Sequence, residues 1–195
     1  MTMQVNEAAR HGLAHFIIDA RASRFTVQAF ATGMLSVMGH NPTIGIRTFS
    51  GEADFNPETI EGGAFRLTIQ SSSLSVLDDI SDKDRREMER MMREDVLEVG
   101  KHPEIRYEAR TMKVSRVEGS LYSASLNGDL SLHGVTRGQP ITARIAVLGD
   151  MLRASGDFSL KQSDYQIKPV SVAGGALKVK DELKFMFEMV ARRRE

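Results

Sequence analysis

Apolar and polar residues alternate one by one through most of this chain, in short runs interrupted by glycine and proline. A period of two places every second side chain on the same face, as in a β-strand buried on one side only. Phe25, Val27 and Ala29 alternate with Thr26 and Gln28, and Phe65, Leu67 and Ile69 with Arg66, Thr68 and Gln70. The pattern returns at Ile105, Tyr107 and Ala109, at Ile141, Ala143, Ile145 and Val147, and at Leu152, Ala154, Phe158 and Leu160. It closes with Leu183, Phe185, Phe187 and Met189.

Turn-forming residues separate the runs at Gly33, Asn41-Pro42, Asn56-Pro57, Gly62-Gly63, Gly119, Gly149-Asp150 and Gly174-Gly175. Gly149-Asp150, lying between two alternating runs, predicts a tight hairpin. The reading is an all-β fold of about eight antiparallel strands in a single domain spanning 1–195. One segment departs from it. Residues 81–96 are highly charged, lack Gly and Pro, and set Met88, Met91, Met92 and Val96 at helical spacing. An inserted α-helix is expected there, capped by Ser81, with Asp82 and Asp84 favourably placed at the positive end of its dipole. Its methionine stripe suits either an adaptable lid or plain core packing.

About eight antiparallel strands must hide their edges by closing into a barrel or stacking as two sheets. A barrel of that size is filled by side chains or holds one small ligand. Ala29, Ala109, Gly128, Ala143, Ala154 and Gly156 recur among the larger inward residues and would leave space along the axis. Small residues also serve bends and close backbone approach, so both readings stand at this point.

Composition removes several function classes. The chain has no cysteine, which excludes disulfides, thiolate metal sites and cysteine nucleophiles. Its formal net charge of zero is unlike the basic excess that nucleic acid requires, so no nucleic-acid partner is expected. No run approaches the roughly 20 apolar residues of a membrane span, and none resembles a secretory leader. The expectation is therefore a cytoplasmic protein without stable membrane insertion. The terminal Arg192-Arg193-Arg194 reads as a solvated tail, too short to hold anionic lipid.

Of the five histidines, His11, His15, His40, His102 and His133, no pair lies at a spacing that brings two rings together on a helix or strand. His11 and His15 are four apart but straddle Gly12 in expected coil, so no metal is assigned. His133, at the start of a tight turn, is expected to hydrogen-bond the Gly134-Val135-Thr136 backbone, and His40 to serve its loop. No Gly-x-Ser-x-Gly elbow or activated serine is visible, and the adjacent acids Asp78-Asp79 and Asp181-Glu182 read as solvated turns. No catalytic residue is assigned.

Five stretches of the chain, in order, resemble one family. Asn127–Ile145 contains Gly-Asp-Leu-Ser-Leu-His-Gly-Val-Thr, similar to the strand and turn that mark the YceI family. His15–Ala29 resembles its opening strand pair, and Arg47–Glu58 the strand that runs into an Asn-Pro turn. Val96–Arg110 resembles a segment of the form Phe-Asp-Val-x-Lys-Tyr-Pro-x-Ile-x-Phe, and Ala154–Ile167 the penultimate strand. The resemblance runs from His15 to Val190. It implies a bacterial protein with an extended, lipocalin-like barrel that binds a polyisoprenoid or quinone tail in an apolar pore. The chain departs from the pattern in its longer, Met-rich helix and in the tract 36–46.

The expected function is binding, carriage or storage of a long isoprenoid-like lipid, without catalysis and without a cofactor beyond the lipid itself. The expected ligand-binding residues are Phe25, Val27, Ile69, Ile105, Tyr107, Ile145, Phe158, Phe185 and Phe187 from the strands, with Met88 and Met92 from the helix. Each also fits a solid core. Two other readings remain open: an enzyme acting on an apolar substrate in the barrel, and an interaction module with a filled barrel. The first requires two titratable groups deep in the pore that perturb each other. The second suits a homodimer.

Overall fold

The computed structural model describes residues 13–33, 41–56, 63–172, 174 and 176–194. His11, His40, Pro57, Gly62, Gly175 and residues 36–40 of the tract 36–46 lie outside the described residues.

The alternating runs form long antiparallel strands wherever one face can be buried. The first half of the chain contributes β1 (Ala14–Ile18), β2 (Arg24–Gln28), β3 (Ala31–Thr32), β4 (Thr43–Ile46), β5 (Phe49–Phe55), β6 (Gly63–Gln70) and β7 (Leu74–Val76). Helix α1 (Asp82–Met91) follows, and then β8 (Glu104–Glu118), β9 (Leu121–Leu132), β10 (Val135–Leu148) and β11 (Met151–Lys161). Two short strands, β12 (Ser171–Val172) and β13 (Leu177–Val179), precede β14 (Glu182–Arg193).

Eight strands close into an antiparallel barrel in the order β1-β5-β6-β8-β9-β10-β11-β14, with β14 pairing back to β1. This is the all-β fold expected from the alternation and the lipocalin-like barrel that the family resemblance implies, with additional strands and one α-helix among the described residues. Inward residues are buried in strict alternation along β9, from Tyr122 through Ala124, Leu126 and Leu130 to Leu132. Gly149-Asp150 makes the expected hairpin, pairing Leu148 with Met151, and Gly149 has φ +61°.

The wall is irregular on one side. β14 carries β2 along part of one edge and β1 further along the same edge, with the break between them held by Ser23. The Ser23 hydroxyl donates to the Asp19 carbonyl at 2.7 Å and accepts the Val190 N–H at 2.9 Å. β4 pairs with β2 and β7, whereas β5 pairs with β1 and β6. The sheet therefore ends at β7, a short edge strand, and α1 packs against it.

Residues 82–91 form the expected α-helix, and Ser81 caps it by accepting the Asp84 N–H at 3.1 Å. Its final turn differs from expectation: Met92–Val96 is π-helical. The three terminal arginines are not a free tail. Arg192 and Arg193 belong to β14 and pair with β1, and Arg192 is bridged to Asp19 at 3.2 Å. The Arg194 N–H donates to the His15 carbonyl at 2.8 Å. No helix among the described residues is long and apolar enough to cross a membrane.

Candidate functional site

The barrel encloses a cavity of about 630 Å³. The barrel interior is therefore not filled solid by its own side chains. The volume lies within the range of about 300–1,000 Å³ that small-molecule sites occupy.

All nine strand residues named from the sequence line this cavity. Phe25 and Val27 enter from β2, and Phe187, paired with Phe25 across β14, stacks near it with ring centroids 6.0 Å apart. Ile69, Ile105 and Tyr107 come from the neighbouring β6 and β8, and Ile145 from β10. Phe158 and Phe185 stand opposite each other on β11 and β14, stacked at 4.9 Å with planes 9° apart, and half-buried. Met88 and Met92 line it from the helical side, joined by Met91 and Val96. The methionine stripe thus covers the cavity as well as packing on the core.

Some small residues act as the alternation suggests and others do not. Ala29, Ala143 and Ala154 line the cavity, whereas Ala109 is buried without lining it. Gly128 and Gly156 make room for aromatic rings, not for a ligand. A Cβ on Gly128 would sit 2.5 Å from Cζ of Tyr107, and one on Gly156 would sit 2.7 Å from Cζ of Phe187. Ile44 and Ile46 also line the cavity and flank Gly45 in a four-residue strand. The same alternation marks them, in a run too short to single out. Leu97 also lines it, and no periodic signal points there.

Polar groups are few. Asp84, Glu87, Gln162 and Lys178 are at the lining, together with the Tyr107 ring. Asp84 accepts the Ser81 hydroxyl at 2.7 Å. Glu87 pairs with Arg90 at 2.8 Å, which holds its carboxyl below the usual carboxylate value. Gln162 is buried and donates to the Lys180 carbonyl at 2.9 Å. The Tyr107 hydroxyl donates to the Gln139 carbonyl at 3.0 Å. Burial, reinforced by the charge of Asp129, pushes this phenol up to about 12. That shift comes from desolvation and from an exposed residue of β9, not from a second titratable group in the cavity.

Outside the barrel lumen the fold joins residues that sequence spacing kept apart. His102 and His133 lie with ring centroids 4.6 Å apart, contrary to the expectation that no two histidines converge. The turns before β8 and between β9 and β10 bring them together across 31 positions, beyond the reach of any local pattern. Glu98 completes the group. The His133 ring does not brace its own turn as expected. Its Nδ1 faces the Tyr165 carbonyl at 3.3 Å and its Nε2 the Glu98 carboxylate at 3.1 Å.

The family profile of the YceI-like domain matches residues 16–191. Among curated protein sequences nothing matches. Among solved structures, BcnA of Burkholderia cenocepacia is similar with a TM-score of 0.67 at 18% identity, covering 89% of this chain and 98% of that one. A polyisoprenoid binding domain from Saccharophagus degradans, implicated in plant cell wall breakdown, matches with a TM-score of 0.67 at 14% identity, over 93% and 99% of the two chains. The YceI protein of Campylobacter jejuni matches at 0.56 and 15% identity, over 78% and 85%.

Proposed function

The chain belongs to the YceI-like domain family, and we propose from that premise that it binds one long isoprenoid-like lipid in the barrel cavity and carries or stores it unchanged. The observation that carries the reading is the cavity itself, about 630 Å³ of space walled almost throughout by aliphatic, aromatic and thioether side chains. Burying a flexible hydrocarbon tail there is favoured by about 25 cal/mol per Å² of apolar area, offset by the cost of ordering the tail. No polar partner is needed along its length. The similar domain from Saccharophagus degradans, described as polyisoprenoid binding, supports the same ligand class.

Binding without catalysis is favoured because the two carboxylates and the phenol at the wall are already engaged. Asp84 and Glu87 are held by partners near or on the helix, and the Tyr107 hydroxyl is held by a backbone carbonyl. Organic extraction of natively purified protein, followed by mass spectrometry, tests the proposal. A prenyl chain recovered at near-equimolar amount is the expected result. Repeated recovery of no long apolar molecule, together with failure of added polyprenyl alcohols or quinones to bind, would overturn it.

A further inference from the structure

Glu98, His102 and His133 each offer one ligand atom, and the three atoms lie within 4.8 Å of one another. We propose that they form a site for a divalent late transition-metal ion of the zinc class, with water completing the coordination. Two imidazoles and one carboxylate suit zinc, nickel or copper, whereas magnesium and calcium prefer all-oxygen sets.

His133 carries the argument. Both of its ring nitrogens face oxygen acceptors, the Tyr165 carbonyl and the Glu98 carboxylate. A neutral imidazole has a single N–H to give. With that proton on Nδ1 toward Tyr165, the Nε2 lone pair points at a carboxylate, and a cation between the two satisfies both. An Nδ1–H held by a backbone carbonyl is also the usual way a ligating histidine is oriented. Lys101 engages Oε1 of Glu98, which leaves Oε2 as the ligand atom facing His133.

The backbone supports the same geometry. Glu98 and His133 adopt left-handed conformations, with φ of 45° and 52°, which non-glycine residues take only at an energetic cost. The His102 ring lies against Gly134, where a Cβ would approach Cε1 to 2.9 Å, so glycine there lets the ring reach the group. Leu97 and Leu132, the neighbours of Glu98 and His133, line the cavity. A bound ion would therefore fasten the segment that follows the covering helix to the β9–β10 turn.

The test uses the full chain, stripped with chelator and dialysed, and zinc chloride as the probe. Calorimetry is expected to show a one-to-one site, with a rise in thermal midpoint that EDTA reverses and, on cobalt(II) replacement, the absorption bands of four-coordinate geometry. His102→Tyr replaces the imidazole with another aromatic ring and should fold normally while losing more than about tenfold in zinc affinity. Glu98→Gln should also weaken binding. If the group is only an imidazolium–carboxylate pair, zinc at a hundredfold excess gives neither heat nor thermal shift, and the proposal fails. It fails equally if His102→Tyr binds zinc as the unaltered chain does. Neither outcome depends on whether lipid occupies the barrel.

Discussion

The carboxylate of Glu89 on α1 accepts the backbone N–H of Val76, the last residue of β7, at 3.1 Å. Arg85, one helical turn earlier, donates from Nη1 to the Val76 carbonyl and from Nη2 to the Asp78 carbonyl at 2.7 Å. The edge strand that ends the sheet is thus satisfied by helix side chains in place of another strand, which answers the hazard that an open edge presents. The same contacts hold the methionine face of α1 over the cavity.

Glu89→Ala should therefore loosen the helix without collapsing the barrel. It leaves the Val76 N–H unpaired and also removes the Glu89–Arg93 bridge at 3.1 Å. A loss of about 1–3 kcal/mol in denaturant unfolding is expected from a bond to a charged group. Hydrogen exchange should accelerate at Val76 and along 82–96 but stay protected in β9 and β10. Uniform acceleration through the barrel would show that the helix is not a separately mobile cover.

A second expectation concerns space. Ala154 lines the cavity opposite Ile145 on β10, and Ala154→Phe would send a ring into the lumen. Because the cavity can receive it, the stability change should be at or below the low end of the about 1–3 kcal/mol typical of overpacking. Bound lipid, by contrast, should fall about tenfold or more, measured by extraction and mass spectrometry against the unaltered chain. Unchanged lipid content would place the ligand elsewhere.

The alternation made the inward faces legible because a strand's period of two is local: Phe25, Val27, Ile69 and Phe187 needed only their neighbours in sequence. The helix was legible for the same reason, through Ser81 and the Met88-Met92 spacing. What remained hidden depends on contacts between distant segments. Nothing near Glu89 indicates that it will meet Val76, and His102 and His133 become neighbours only after β8, β9 and β10 have paired. Gly128 and Gly156 stayed ambiguous for a related reason, since a glycine that leaves room for a ligand and one that admits a ring look alike until the ring is placed. The arginines at 192–194 read as a tail because their charge outweighed the alternation of the strand they finish.

Alkaline titration offers a readout of Tyr107. Its folded pKa, pushed up to about 12, exceeds the unfolded value of about 10, so the neutral phenol is favoured by folding. The stability it contributes is complete below about pH 10 and is lost as pH rises through about 12. Tyrosinate absorbance should show one of the three tyrosines ionising last, close to the unfolding transition. Tyr107→Phe should remove that late component and cost about 1 kcal/mol for the bond to Gln139. Burial raises Tyr165 as well, so the assignment rests on the variant and not on the order of ionisation alone. A late component that persists in Tyr107→Phe would assign it to Tyr165.

Gly128 and Gly138 provide a paired test of how closely the wall packs around that tyrosine. Both are glycines in adjacent strands, β9 and β10, and neither needs a left-handed backbone. A Cβ at Gly128 would meet the Tyr107 ring at 2.5 Å, its hydroxyl at 2.6 Å and the Glu108 carbonyl oxygen at 2.7 Å. One at Gly138 would meet only Asp129 Oδ1, at 4.0 Å. Gly128→Ala must therefore displace the ring and strain its hydrogen bond to Gln139, with an expected cost of about 1–3 kcal/mol. Gly138→Ala should be neutral or slightly stabilising, because it reduces the freedom of the unfolded chain at no steric cost. Thermal unfolding of the two variants side by side decides the matter: equal midpoints would mean that the Tyr107 ring is free to move aside.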